Sequence, residues 1–138
     1  MNASPTESTR PQPLGAYPAH VRAGDFIYLS GTSARLPDGS IAGTTRHADG
    51  SVAHDIEVQT RTVIENMRSA LAEAGADLSH CIDVTVFLTD MRDFPRYNAV
   101  YGEYFASARA ARTTVGVREL PKPDMIVEMK AVAYLPQA

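Results

Sequence analysis

A chain of 138 residues with 13 basic and 16 acidic side chains, net charge −3 and 44% hydrophobic residues has the size and balance of one soluble domain around a single core. No basic run concentrates the charge, which argues against nucleic acid as the main partner. A lone cysteine, Cys81, excludes an internal disulfide and fits a reducing cytoplasm, and no apolar run approaches the roughly 18 residues of a membrane helix.

Residues 1–13, rich in Ser, Thr, Pro and Asn without apolar periodicity, are expected to form a mobile tail on a single domain spanning 14–138. They lack the apolar stretch of a secretory signal, which fits a cytoplasmic protein. Tyr17 follows, and then His20–Arg22, Ala23-Gly24 and Asp25–Ser30 read as a hairpin, its FIYL run rich in aromatic and β-branched residues. From Thr32 to Ala53 the turn signals Pro37-Asp38-Gly39 and Asp49-Gly50 predict a long loop. A loop of that length in a compact domain is more often functional than idle. It carries Arg35, Arg46 and His47, three candidate anion partners, of which Arg35 lies closest to a core strand.

Ile56, Thr60, Val63, Ile64, Met67, Ala70, Leu71 and Ala74 recur at three- and four-residue steps, predicting an amphipathic helix of about five turns that ends at Gly75. Glu57/Arg61 and Arg61/Glu65 stand four apart on its outer face. Cys81–Thr89 alternates as a strand, with Ile82, Val84, Val86 and Leu88 on one face. Its cysteine reads as a buried free thiol rather than a nucleophile. Asp93 is placed to cap a second helix whose stripe is Phe94, Tyr97, Tyr101, Tyr104 and Phe105. Asn98 falls in that stripe, where a buried amide must bond a neighbouring strand or serve a pocket.

Two strands close the chain, Arg112–Arg118 and Met125–Leu135, joined through Pro121 and Pro123, which cannot donate to a ladder. Alternation in the second sends Met125, Val127, Met129, Ala131, Ala133 and Leu135 to one face and Ile126, Glu128, Lys130, Val132 and Tyr134 to the other. A carboxylate at Glu128 must therefore be paired, hydrogen-bonded or protonated. Arg112 is the cation that the preceding strand offers. The order ββαβαββ predicts an α+β layer, a mixed sheet with two helices on one face. A last strand apolar on both faces wants two covers.

Among chemistries, the four histidines and one cysteine show no metal-ligand spacing, so no metal is expected. The glycines form no phosphate cradle, and Ser30 lacks a nucleophile elbow. What remains is cofactor-free hydrolysis: an arginine to grip a carboxylate and an acid/base to deliver a proton and activate water.

Leu14-Gly15-Ala16-Tyr17, Leu29-Ser30-Gly31, Gln59 followed by Asn66, VTVFLTDMRDF at 84–94, YNAVYGEYF at 97–105, ARTTV at 111–115, LP at 120–121 and VEMKAVA at 127–133 together resemble the RidA/YjgF/UK114 family of enamine and imine deaminases. The resemblance runs from about Leu14 to Leu135 in the family's order. It implies a chorismate-mutase-like fold and a homotrimer with a barrel-like sheet core. Arg112 resembles the family's carboxylate-binding arginine and Glu128 the group that handles water. Tyr17, Asn98 and Ser30 resemble pocket residues. Where many members carry Cys after the arginine and Pro before it, this chain has Thr114 and Ala111; Ala16 also replaces a usual Pro. The 32–53 stretch looks most like the 2-aminomuconate deaminases, whose product would be 2-oxohex-3-enedioate and ammonia, with Arg35, or else Arg46 or His47, meeting a distal carboxylate. A broad-specificity imine deaminase, a non-catalytic trimeric ligand-binding protein and, more weakly, a ribonuclease are the alternatives.

Overall fold

The computed structural model describes residues 11–137. Its main sheet is built from β1 (His20–Ala23), β2 (Phe26–Leu29), β5 (Cys81–Leu88), β6 (Ala111–Gly116) and β7 (Val127–Tyr134), in the order β1-β2-β7-β5-β6. Only the β5–β6 pair is parallel, because α2 (Phe94–Phe105) carries the chain back between them. The other helix, α1 (Ile56–Glu73), packs against β2, β7 and α2. Both helices cover one face. The expected mixed α+β layer is therefore present.

Alternation positions this face. Ile27, Leu29, Val84, Val86, Leu88, Val127, Met129, Ala131 and Ala133 are all buried beneath the helices. The opposite face of the same strands keeps Phe26, Tyr28 and Tyr134 exposed, with the Phe26 and Tyr134 rings 5.3 Å apart. Such an apolar open face is what a further layer would cover.

Helix α1 starts where Asp55 accepts from the Glu57 and Val58 amides, and stops before Gly75 at φ +79°. Its end thus matches the expected glycine stop. The predicted pairs within α1 do not form. Arg61 instead reaches Glu103 of α2 with two bonds of 2.6 and 3.0 Å, Glu57 meets Arg96 at 3.4 Å, and Glu65 meets Arg68 at 3.3 Å. An adjacent helix offers Arg61 a planar two-point partner that an i,i+4 glutamate cannot match.

Several expectations need correction. The 32–53 loop holds a two-stranded hairpin, β3 (Thr44–Arg46) with β4 (Val52–His54), and an isolated bridge between Arg35 and Ile41. Its short, largely polar strands gave no periodic signal. Strand β5 bulges between Cys81 and Asp83, so Cys81 is buried and Ile82 turns outward, against simple alternation. Asp93 does not cap α2 with its side chain: a 3₁₀ turn, Met91–Asp93, runs straight into the helix, and Asp90 caps that turn through the Arg92 amide. Strand β7 begins at Val127 rather than Met125, since the Ile126 amide is taken by the Gln59 side chain. Strand β6 likewise spans Ala111–Gly116 rather than Arg112–Arg118. Of the expected tail, residues 1–10 lie outside the described residues, whereas Pro11–Pro13 pack beside a cleft.

Candidate active site

That cleft forms where β2 leaves its ladder. Tyr28 pairs with Val132 of β7, and the chain rejoins β7 at Thr32, opposite Met129. Four steps on one side oppose three on the other, so one extra residue bows outward. The detour carries Ser30 and Gly31. Reciprocal bonds from Thr32 to Met129, 2.8 and 2.9 Å, close it again.

Glu128 of β7 stands in the opening. A Cβ on Gly31 would lie 3.1 Å from the Glu128 carboxyl carbon, so glycine leaves room there that alanine would contest. The carboxyl is half-buried and bonds no partner among the described residues, and burial raises its pKa above the ordinary glutamate value. Burial disfavours its charged form, so the carboxyl holds a proton more readily than a free glutamate does. Tyr17, Ser30, Thr32, Arg35 and Met125 line the same cavity, about 280 Å³. The Ser30 hydroxyl donates to the Pro18 carbonyl at 2.7 Å, so it ties the Tyr17 segment to the rim.

Two amides on α1 hold this architecture from behind. Gln59, wholly buried, donates to the Asp124 carbonyl at 2.7 Å and accepts from the Ile126 amide at 3.1 Å. Asn66 donates to the Ser33 and Arg35 carbonyls, both at 2.9 Å. Sequence reasoning had them as family markers and assigned them no task. Their spacing of seven residues, two helical turns on one face, was the available signal.

Arg112 lies elsewhere. It pairs with Val84 of β5, which pairs with Ala131 of β7. Val84 and Ala131 face the helices, and Glu128 is an odd number of residues from Ala131, so it faces the other way. One strand also intervenes, a lateral separation of roughly 10 Å. Within one chain Arg112 and Glu128 do not meet, a point that the sequence alone leaves open.

What surrounds Arg112 is an aromatic bed. Its guanidinium sits 4.6 Å from the Tyr101 ring centroid, 5.5 Å from Tyr97 and 5.7 Å from Phe94. Asn98 accepts from its Nη1 at 2.8 Å. Asn98 is therefore exposed and aimed at the arginine, not buried in the helix stripe. Thr114 bonds the Tyr97 hydroxyl at 2.9 Å, and burial pushes the Tyr101 phenol up to about 12. Both phenols stay neutral beside the guanidinium.

Two other predicted cations are not in the cleft lining. Arg46 is bound to Asp124 at 2.5 Å, and His54 to the same carboxylate at 3.0 Å. His47 sits at the β3–β4 turn, where its amide donates to the Ser51 carbonyl. Among the described residues no group of three or more His, Cys, Asp or Glu could hold a metal ion. No helix of the described residues is long and apolar enough to cross a membrane.

These elements define a small α+β domain with a mixed sheet, two helices on one face and a cleft opened by a bulge beside β7. Residues 7–135 match the family model described as Endoribonuclease L-PSP. A RutC family protein of Pyrococcus abyssi is 41% identical over 124 residues, covering 90% of each chain. A 2-iminobutanoate/2-iminopropanoate deaminase of Dermatophagoides farinae is 33% identical, covering 91% of this chain and 90% of its own. The structure of E. coli TdcF with bound serine superimposes with a TM-score of 0.76 at 31% identity, covering 91% and 93% of the two chains. The chain belongs to this family, the RidA/YjgF/UK114 proteins.

Proposed function

We propose that the protein is a cofactor-independent deaminase of 2-imino acids, acting at a site shared between copies of the chain. The observation that carries this reading is the Glu128 carboxyl, half-buried and unpartnered among the described residues in a cleft opened by Gly31. A strand carboxyl kept without a partner costs stability, and a reaction that needs a proton carrier accounts for it. The deaminase relative supports the reaction class, and the serine bound by TdcF fits a site that takes a small amino-acid-like carboxylate.

In this mechanism Arg112 of a neighbouring copy holds the substrate carboxylate through its planar fork. The imine carbon then lies beside Glu128. Ionised Glu128 takes a proton from water as the oxygen adds to that carbon. It returns that proton to nitrogen to give the carbinolamine; it then takes the hydroxyl proton and passes it to the same nitrogen, so that the C–N bond breaks as C=O forms, ammonia leaves and the 2-oxo acid remains. For an enamine, the protonated carboxyl first supplies the proton that makes the imine. Tyr17, Ser30 and Asn98 shape and orient the site. A homotrimer is the assembly proposed to bring the two halves together and to cover the apolar sheet face.

The sequence expectation of 2-aminomuconate as substrate draws no support from the relatives described above, and Arg46 is already neutralised by Asp124. A monocarboxylate imine is therefore the first substrate to test. Ammonia release from freshly generated 2-iminobutanoate, measured beside 2-aminomuconate, decides between the broad deaminase and the aromatic-pathway enzyme. Turnover of neither would leave the non-catalytic ligand-binding reading.

A further inference from the structure

Arg35 is the cleft residue that this mechanism leaves unused. Five arginines, Arg46, Arg61, Arg68, Arg92 and Arg96, have carboxylate partners. Arg35 has none among the described residues. Its Nη1 donates to the backbone carbonyl of Gln12 at 2.6 Å, and its Nε is buried without a hydrogen-bond partner. A guanidinium held only by a neutral oxygen, with a desolvated N–H left over, is under-satisfied, and a carboxylate would bind it more strongly through two parallel bonds. Arg22 also bonds only carbonyls, Gly24 and Leu135, but it does not line the cleft.

The backbone beneath Arg35 is fixed. Its carbonyl accepts from Asn66, it bridges to Ile41, and the Ala42 and Leu36 amides close the turn onto Ala34 and Ser40. The guanidinium is therefore presented from a rigid base, as a recognition group needs to be. Its partner is of the opposite kind. Gln12 belongs to the Pro11–Leu14 segment that lies along the cleft, and within this segment the Arg35 bond is the one side-chain tie to the domain among the described residues.

Resting on the deaminase reading, we propose that Arg35 is a specificity residue for imino dicarboxylates: the distal carboxylate replaces the Gln12 carbonyl on the guanidinium, and residues 11–15 release from the rim as it binds. Glu128 and Arg35 line one cavity. A substrate whose reacting carbon lies at Glu128 and whose far end carries a second anion can bridge them; a 2-imino monocarboxylate of three or four carbons leaves Arg35 with Gln12.

Binding of non-reacting product analogues tests this without requiring turnover. Calorimetry compares 2-oxoglutarate with 2-oxobutanoate on the wild-type chain, Arg35→Met and Arg35→Lys, while hydrogen exchange follows the Gln12, Leu14 and Gly15 amides. The expected result is a preference of about 10- to 100-fold for the dicarboxylate, as for a charge-assisted pair of roughly 1.5–3 kcal/mol. Arg35→Met abolishes the preference with 2-oxobutanoate affinity unchanged, Arg35→Lys restores part of it, and exchange at 12–15 rises only with the dicarboxylate. Equal affinity of the wild-type chain for both acids, or a preference that survives Arg35→Met, overturns the assignment. If 2-oxobutanoate binding falls equally in Arg35→Met, Arg35 is structural and the proposal fails. Ammonia release from 2-iminobutanoate by the wild-type chain reports separately on the deaminase reading.

Discussion

A glutamate raised in pKa by burial alone has a readable consequence for stability and rate at once. In the folded chain Glu128 binds its proton more tightly than it does unfolded, so its contribution to stability is fully present below about pH 4.3 and is lost as pH rises through the folded value. Glu128→Gln should therefore melt higher than wild type at neutral pH and lose that advantage below about pH 4, as a thermal scan against pH would show. The same variant should turn over about 10²–10⁴-fold more slowly with substrate binding nearly retained; normal ammonia release would make Glu128 a structural residue. Arg112 carries the complementary prediction. Truncating one partner of a charge-assisted pair costs about 2–5 kcal/mol, so Arg112→Ala should lower kcat/KM by about 30-fold to several thousand-fold at 1.4 kcal/mol per decade. Arg112→Lys should fall between, because it keeps charge and cation–π contact with Tyr101 but loses the fork. Both residues stood out in the sequence through family resemblance. Their separation did not, because it depends on the pairing of Val84 with Arg112 on one side and Ala131 on the other, a register that no single strand encodes.

Among the elements, α1 does more than cover the sheet. Gln59 satisfies two backbone groups of the 124–126 loop, and its loss strands both at about 1–3 kcal/mol each. Gln59→Ala should accordingly lower unfolding free energy by about 2–6 kcal/mol, whereas Arg61→Ala, removing an exposed pair with Glu103, should change it by less than about 1 kcal/mol. Urea denaturation of the two variants side by side checks the ranking. The helices and long strands were legible because their apolar periods are uninterrupted over many residues. The β3–β4 hairpin was not: three-residue strands such as Thr44–Arg46 offer too few alternations to stand out from a loop. The bulges at Cys81–Asp83 and at Ser30–Gly31 were equally silent, since an extra residue is visible only against its partner strand. The second of these makes the cleft, so the site was legible in its residues and not in its shape.

At the scale of the whole molecule, one chain keeps Glu128 and Arg112 apart and leaves an apolar sheet face exposed. Sedimentation should find a trimer at micromolar concentration. Mixing Glu128→Gln with Arg112→Ala chains after partial unfolding and reassembly should restore part of the activity, since some boundaries then receive one intact half from each; a mixture as inactive as its components would place both residues in one chain's site. Edge strand β6, which carries Arg112, would be buried against a neighbour in that assembly. The single thiol reports on the same architecture. Cys81, 1% exposed and pushed up to about 11 by burial, lies at the start of the interior strand β5 on the helix side. In the closed fold it is invisible to alkylating reagents at neutral pH, so the rate at which one label enters each chain is a clock for opening of the sheet's centre. The chain thus carries its one thiol under lock, and any variant that labels quickly has lost the core before it has lost the site.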